Sequence, residues 1–340
     1  MVTREQIDAS KDIQRRTGRT FYVATRVLPE WMRRPTYVLY AFFRIADDVV
    51  DDPNPASPAE QRARLEHLRR AALGEDEADE PAVRAFAELK RRHGIPDEEV
   101  HTFIDAMEMD VADRRYETYA DLETYLRGSA VAVAYMMLEA MEPDQKEAAR
   151  PHAKALGEAF QLTNFLRDVR EDVLEYDRIY LPRETLAKHG VTDDQIRALD
   201  FDEGFANAMR EEMARTDALY REGVAGIKYL PEECQLAVLA SATLYAEHHR
   251  AIRARGFDVL TERPTLTTPR RFRILAETWY HFKRTGDPET AFYRVAPVSP
   301  YSEDDMRVER GRSGVYSRVV GSTRAFADAV RSWVPTGWSW

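Results

Sequence analysis

The stretch Gln161-Leu-Thr-Asn-Phe-Leu-Arg-Asp-Val-Arg-Glu-Asp172 constrains this chain more than any other. At about 100° per residue on a helix, Asn164, Asp168 and Asp172 stack on one stripe with Gln161 alongside. Leu162, Phe165, Leu166, Val169 and Val173 fill the neighbouring apolar face. Like charges four residues apart cost an isolated helix roughly 0.2–0.5 kcal/mol. A cation would remove that cost, and a metal ion is the obvious candidate.

A second acidic stripe supplies the other half. In Tyr37–Asp51, the residues Tyr37, Tyr40, Arg44, Asp47 and Asp51 fall within about 80° of helix circumference, with Asp48 just beside them. Leu39, Phe42, Phe43, Ile45, Val49 and Val50 occupy the rest, so most of this helix is expected to be buried. Its carboxylates then face either a narrow strip of solvent or an internal polar mouth. Two such stripes facing each other would line a mouth with oxygen ligands. Mg²⁺ suits that arrangement, since it takes one or two carboxylates per ion and completes its octahedron with water and phosphate. The alternative is two ordinary solvated faces; an arginine close to each stripe (Arg44, Arg167) weighs against it.

Almost every confident element along the chain is helical. Gly (15) and Pro (17) are too few for a turn-rich β-fold, and Ala, Leu, Arg and Glu dominate. Helices are expected over 3–17 and 30–52, the second stopped by Pro53-Asn-Pro55. Ser57-Pro58-Ala-Glu60 reads as a capping box opening the next. One helix is expected over 121–141, with a small-residue middle from Gly128 to Ala134, and the longest from Pro143-Asp144 to Tyr176. Ile179–Pro182 reads as an extended crossing, followed by helices over 183–198, 201–228, 232–255 and 268–283. No glycine-rich phosphate loop, alternating strand pattern or internal repeat is present. The expected fold is therefore all-α: a single-domain helical bundle around a central apolar cavity, over 1–284, with a tail of unknown role over 285–340. In that tail a helical pattern survives over 322–332, and Trp333, Trp338 and Trp340 cluster at the end.

Charge narrows the partners. A net charge of −10 argues against nucleic acid held by general electrostatics. Cys234 is the only cysteine, so no disulfide framework or thiolate metal site is expected, and a reducing cytoplasm is the natural compartment. The longest apolar run, Ala130–Leu138, is far shorter than the roughly 20 residues of a membrane span. A cytoplasmic protein is expected, with contact to a membrane no more than peripheral.

Two Mg²⁺-binding walls at the mouth of an apolar cavity suit the ionisation of an allylic diphosphate. The metal neutralises the departing group, and the cavity keeps water from the carbocation. Arg44, Arg167, Arg178 and Arg263 are candidates for charge-assisted bonds to phosphate oxygens. Aromatic faces can stabilise the cation.

On these residues the chain resembles the phytoene/squalene synthase family, the head-to-head prenyl synthases. The matching segments are Arg19-Thr-Phe-Tyr22, Tyr40–Asp51, Met109-Asp110 with Arg115-Tyr116, Gln161–Asp172, Arg178-Ile-Tyr-Leu-Pro182 and Gly256–Arg263. The resemblance implies the isoprenoid-synthase type of helical bundle. It also implies that Asp47, Asp51, Asn164 and Asp168 hold Mg²⁺, two or three ions, with Asp48 and Asp172 in support. Arg44, Arg167 and Arg263 would then contact diphosphate, and Phe21, Tyr40, Gln161, Tyr180 and Tyr245 would line the prenyl pocket. The reaction implied is condensation of two geranylgeranyl diphosphates to phytoene, through a cyclopropylcarbinyl diphosphate, without NADPH. Alternatives are dehydrosqualene or squalene formation from farnesyl diphosphate and, in another class, a non-catalytic helical assembly factor, which would be expected to lose the acidic ligands. Three positions depart from the family pattern. Asp177 stands where glycine is usual and is expected to add charge near the phosphates; Val131 and Ala134 stand where glycine is common and are expected to narrow the cavity or shift the chain path.

Other candidates read more plainly. His248-His249 point about 100° apart on a helix with no third ligand spaced to join them, so surface polarity is expected. Met107, Met109, Met136 and Met137 read as core filler, and Cys234 as a small, partly buried residue. Asp110 is either structural or in touch with the pocket.

Overall fold

The computed structural model describes residues 3–17, 25–52, 56–111 and 115–300. Phe21 with the rest of Arg19–Tyr22, the Pro53–Pro55 stop, and the tail beyond 300 with its tryptophans lie outside the described residues. Within them every regular element is helical: α1 (Arg4–Thr17), α2 (Glu30–Val50), α3 (Pro58–Leu73), α4 (Pro81–His93) and α5 (Asp97–Val111). Then come α6 (Tyr119–Leu126), a π-helical turn (Arg127–Ala132), α7 (Val133–Met141), the long α8 (Lys146–Tyr176) and the short α9 (Arg183–Lys188) and α10 (Asp193–Arg197). The chain closes with α11 (Glu203–Ala225), a 3₁₀ turn (Ile227–Tyr229), α12 (Glu232–Ala254), α13 (Thr268–Thr285) and α14 (Pro288–Val295). No helix among them is long and apolar enough to cross a membrane.

Local chemistry sets several boundaries where they were expected. Ser57 Oγ accepts from the Glu60 N–H, and Glu60 Oε2 accepts from the Ser57 N–H at 2.9 Å, so the capping box forms ahead of Pro58. The stretch 121–141 is not the single α-helix expected. It breaks into α6, the π turn and α7. The cause is tertiary: Gly128 lies so close to α5 that a Cβ there would sit 2.2 Å from the Thr102 carbonyl oxygen. The wider turn lets the backbone pass while keeping both flanking helices packed.

α8 is the central pillar. Gly157 brings it against Ala130 and Ala134 of the π turn and α7, and Gly223 of α11 seats against the backbone of Leu156 on another side. The core on the α2 side is aromatic, with Phe42 stacked on Phe86 at 3.8 Å and Phe43 edge-on to Phe103 at 5.1 Å. α14, which lies past residue 284, packs on the same body: Phe292 is fully buried and its ring lies 5.9 Å from that of Tyr220 on α11.

Candidate active site

α2 and α8 form two walls of one cavity of about 410 Å³. Tyr40, Arg44 and Asp47 line it from α2, Gln161 and Asn164 from α8, and Tyr245 from α12. The remaining surface is largely apolar, with Phe43, Phe103, Met137, Leu156, Phe160 and Val238 among its residues. Both stripes thus open onto shared space. One turn further along each helix lie Asp51 and Asp168, and Asp172 another turn beyond.

The two acidic ends are tied directly. Arg178, just past the end of α8, donates to Asp51 Oδ1 at 2.9 Å and to the Val50 carbonyl at 3.1 Å. Arg44 pairs with Asp48 at 2.6 Å, while its Nε is buried with no hydrogen-bond partner among the described residues. Asp168 is gripped by arginines: Arg167 binds both of its oxygens, and Arg263 Nε donates to Oδ1 at 2.8 Å. Arg263 also reaches Glu171 at 2.8 Å.

Other carboxylates lack such relief. Asp47 is pushed up to about 7, first by burial and then by Asp51. Asp172 is pushed up to about 8, by burial and then by Asp168 and Glu171. Neither side chain has a hydrogen bond or ion pair among the described residues.

These observations bear on Mg²⁺. No three His, Cys, Asp or Glu side chains among the described residues converge into a ready-made metal cage. Asp48, Asp51 and Asp168 are instead turned to arginines. The donor set nonetheless fits a hard dication that keeps most of its shell for water and phosphate. Asp47 and Asp172 hold raised proton affinities that a cation would reverse, and Asn164 adds a neutral oxygen on the same wall.

Several placements depart from the sequence-based expectations. Tyr180 does not line the cavity; it stacks on Phe165 with ring centres 4.0 Å apart. With Tyr125 it holds Asp110, whose oxygens lie 2.8 Å from the Tyr125 hydroxyl and 3.5 Å from that of Tyr180. Asp110 is pushed up to about 6 by burial, against the opposing charge of Arg178. It belongs to the acidic site, where sequence left it undecided. Met107 and Met136 are buried in the core with Met109 and Met137 packed against it, as expected, and Met107 and Met137 also reach the cavity wall. Ala134 lines the cavity; Val131 is buried but off its wall.

Two corrections concern charge. The charge that Asp177 adds is offset, because its carboxylate pairs with Arg197 at 2.8 Å. Its backbone is left-handed, φ 51°, as C-cap of α8, which explains why glycine suits that position. His249 is not on the surface: it is fully buried, with Nδ1 2.7 Å from Asp217 and Nε2 3.1 Å from Thr163 Oγ1. Asp217 also accepts from Arg253, and Thr163 Oγ1 lies 2.9 Å from the Tyr220 hydroxyl. The order Asp-His-Thr imitates a nucleophile triad, but Thr163 is sealed in the core. The network instead locks α8 to α11 and α12 one residue from Asn164, whose side chain meets the Tyr245 hydroxyl.

The chain is similar to known proteins over most of its length. The family profile for squalene/phytoene synthase matches residues 14–270. A phytoene synthase of Cereibacter sphaeroides is 32% identical over 281 residues, covering 78% of this chain and 77% of that one. A 15-cis-phytoene synthase of Synechococcus elongatus is 30% identical over 280 residues, covering 78% and 90%. Among solved structures, a dehydrosqualene synthase in complex with ligand superposes with a TM-score of 0.73 at 25% identity, over 82% of this chain and 97% of that one. A squalene synthase from Alicyclobacillus acidocaldarius gives 0.67 at 29%, over 75% and 95%.

Proposed function

The chain belongs to the squalene/phytoene synthase family, and from that we propose that it is a prenyltransferase that condenses two geranylgeranyl diphosphates to phytoene. One substrate loses its diphosphate, and its allylic carbon alkylates the double bond of the second, which sheds a proton as the cyclopropane closes to give a cyclopropylcarbinyl diphosphate. This loses its own diphosphate in turn, rearranges and gives up a second proton. The observation that carries the reading is a largely apolar cavity onto which both stripes open, through Tyr40, Arg44 and Asp47 of α2 and Gln161 and Asn164 of α8.

The proposed Mg²⁺ ligands are Asp47, Asp51, Asn164 and Asp168, with Asp48 and Asp172 in support. Bound there, the metal supplies Lewis-acid stabilisation of the departing diphosphate. Arg44, Arg167, Arg178 and Arg263 supply donors to phosphate oxygens. Two of them, Arg167 and Arg263, hold the Asp168 carboxylate in place. Tyr40, Gln161 and Tyr245, with Phe21 outside the described residues, are proposed to line the prenyl site. Tyr180 acts one layer behind, by holding Asp110. Apolar walls exclude water from the carbocations.

A second reading, dehydrosqualene or squalene formation from farnesyl diphosphate, is favoured by the likeness to solved enzymes of that type. Purified protein incubated with Mg²⁺ and either diphosphate, with and without NADPH, separates the two. Phytoene from geranylgeranyl diphosphate without NADPH is the expected product; a hydrocarbon made only from farnesyl diphosphate would overturn it. Because substrates and product partition into lipid, peripheral contact of a cytoplasmic enzyme with a membrane is part of the proposal.

A further inference from the structure

α13 buries little of itself. Only Ile274 and Thr278 of its 18 residues are buried. Thr278 hydrogen-bonds Thr243 of α12 at 3.0 Å, and Ile274 packs with Leu244 and Val295, which fixes the inner face. At about 100° per residue, the opposite face presents Trp279, Phe272, Lys283, Tyr280, Arg273 and Arg284 within an arc of about 140°. Phe272 and Tyr280 are 42% and 44% exposed, two of the four large apolar side chains on the surface among the described residues.

The charge of this helix runs against that of the molecule. Arg271, Arg273, Lys283 and Arg284 share this helix with one acid, Glu277, which Arg273 pairs at 2.8 Å, while Arg270 turns inward to Glu247 of α12 at 2.8 Å. The chain as a whole carries −10. No carboxylate falls within the outward arc.

We propose that the outer face of α13 seats on the surface of a bilayer bearing anionic headgroups. Aromatic rings interleaved with bases on one exposed face are the pattern of a helix that lies in the membrane interface plane. Rings of Trp, Tyr and Phe enter the headgroup boundary, while Lys and Arg meet phosphates above it. Nucleic acid would use the bases but leave the rings unexplained, and the overall acidity opposes it. α13 packs on α12, which carries Ser241 and Tyr245 into the cavity, so the seated face lies one helix layer from the prenyl site. The inference rests on the prenyl-transfer reading for its choice of a lipid partner.

The test is co-sedimentation of the full chain with vesicles of phosphatidylcholine alone and of phosphatidylcholine with an equal part of phosphatidylglycerol. Activity is assayed in parallel with detergent-dispersed geranylgeranyl diphosphate. The wild type should bind the anionic vesicles preferentially. Lys283→Glu with Arg284→Glu should weaken that binding at least about tenfold and leave detergent activity unchanged, which also shows that the variant is folded. Lys283→Gln with Arg284→Gln should fall between, and Phe272→Ser with Tyr280→Ser should weaken binding at every salt concentration. Wild-type binding that ignores headgroup charge, or variants that bind as well as wild type, would overturn the assignment. So would a chain ending at residue 300 that loses binding while the charge-reversed full chain keeps it. Vesicle binding by a chain with no synthase activity would leave the surface standing and sink the prenyl-transfer reading instead.

Discussion

Asp47 and Asp172 are half-buried among like charges, and their raised proton affinities are the local signature of a site assembled to receive a cation. Asp47→Asn keeps the shape and removes the charge. We expect at least about a hundredfold loss of Mg²⁺-dependent turnover, the scale on which loss of one transition-state charge partner is felt. The metal-free melting temperature at pH 8 should hold or rise, since a like-charge pair costs about 0.2–0.5 kcal/mol. Unfolding instead of inactivity would show the residue to be structural. Asp177→Gly should change stability by no more than about 0.5 kcal/mol in denaturant titration, because relief of a left-handed backbone offsets loss of a surface pair with Arg197. The stripes were legible in sequence because a repeat of three to four residues is local. Asp110 was not, because the hydroxyls that hold it belong to Tyr125 and Tyr180, 15 and 70 residues away.

The helices themselves were largely readable, and the exception is instructive. A run of small residues from Gly128 to Ala134 carries no periodicity strong enough to separate an α-turn from a π-turn, so only the approach of α5 decides it. Gly128→Ala would set a Cβ 2.2 Å from the Thr102 oxygen and 2.5 Å from the Ala106 Cβ, both on a packed helix. A loss of about 1–3 kcal/mol is expected on chemical denaturation. Ser129 and Ala130 line the cavity, so the same change should also raise KM for the prenyl substrate. His249→Phe keeps the volume roughly but takes one hydrogen-bond partner each from Asp217 and Thr163. It should lower stability by about 1–3 kcal/mol, and wild-type stability would contradict a locking role for that network.

Across the whole molecule, the acidic site makes stability depend on pH. A carboxyl whose folded value lies above its unfolded one takes up protons on folding. Its unfavourable contribution is absent below about pH 4 and grows until the folded group ionises, near 7 for Asp47 and 8 for Asp172. Glu158, pushed up to about 7 by burial, adds with the same sign. The metal-free protein should therefore melt at lower temperature as pH rises from about 5 to about 8. Mg²⁺ with inorganic diphosphate should restore much of the loss, and a melting temperature indifferent to both would count against a shared cation site. By itself the sequence determined the helical class, the two acidic stripes and the arginines near them, because helical repeat and side-chain chemistry are written in neighbouring residues. Only the tertiary structure decided which stripe end meets which, through the Arg178–Asp51 bond spanning 127 residues. It also turned Tyr180 away from the cavity, buried His249 and carried the helical body past residue 284. Those outcomes depend on close packing between distant helices, which no local repeat encodes.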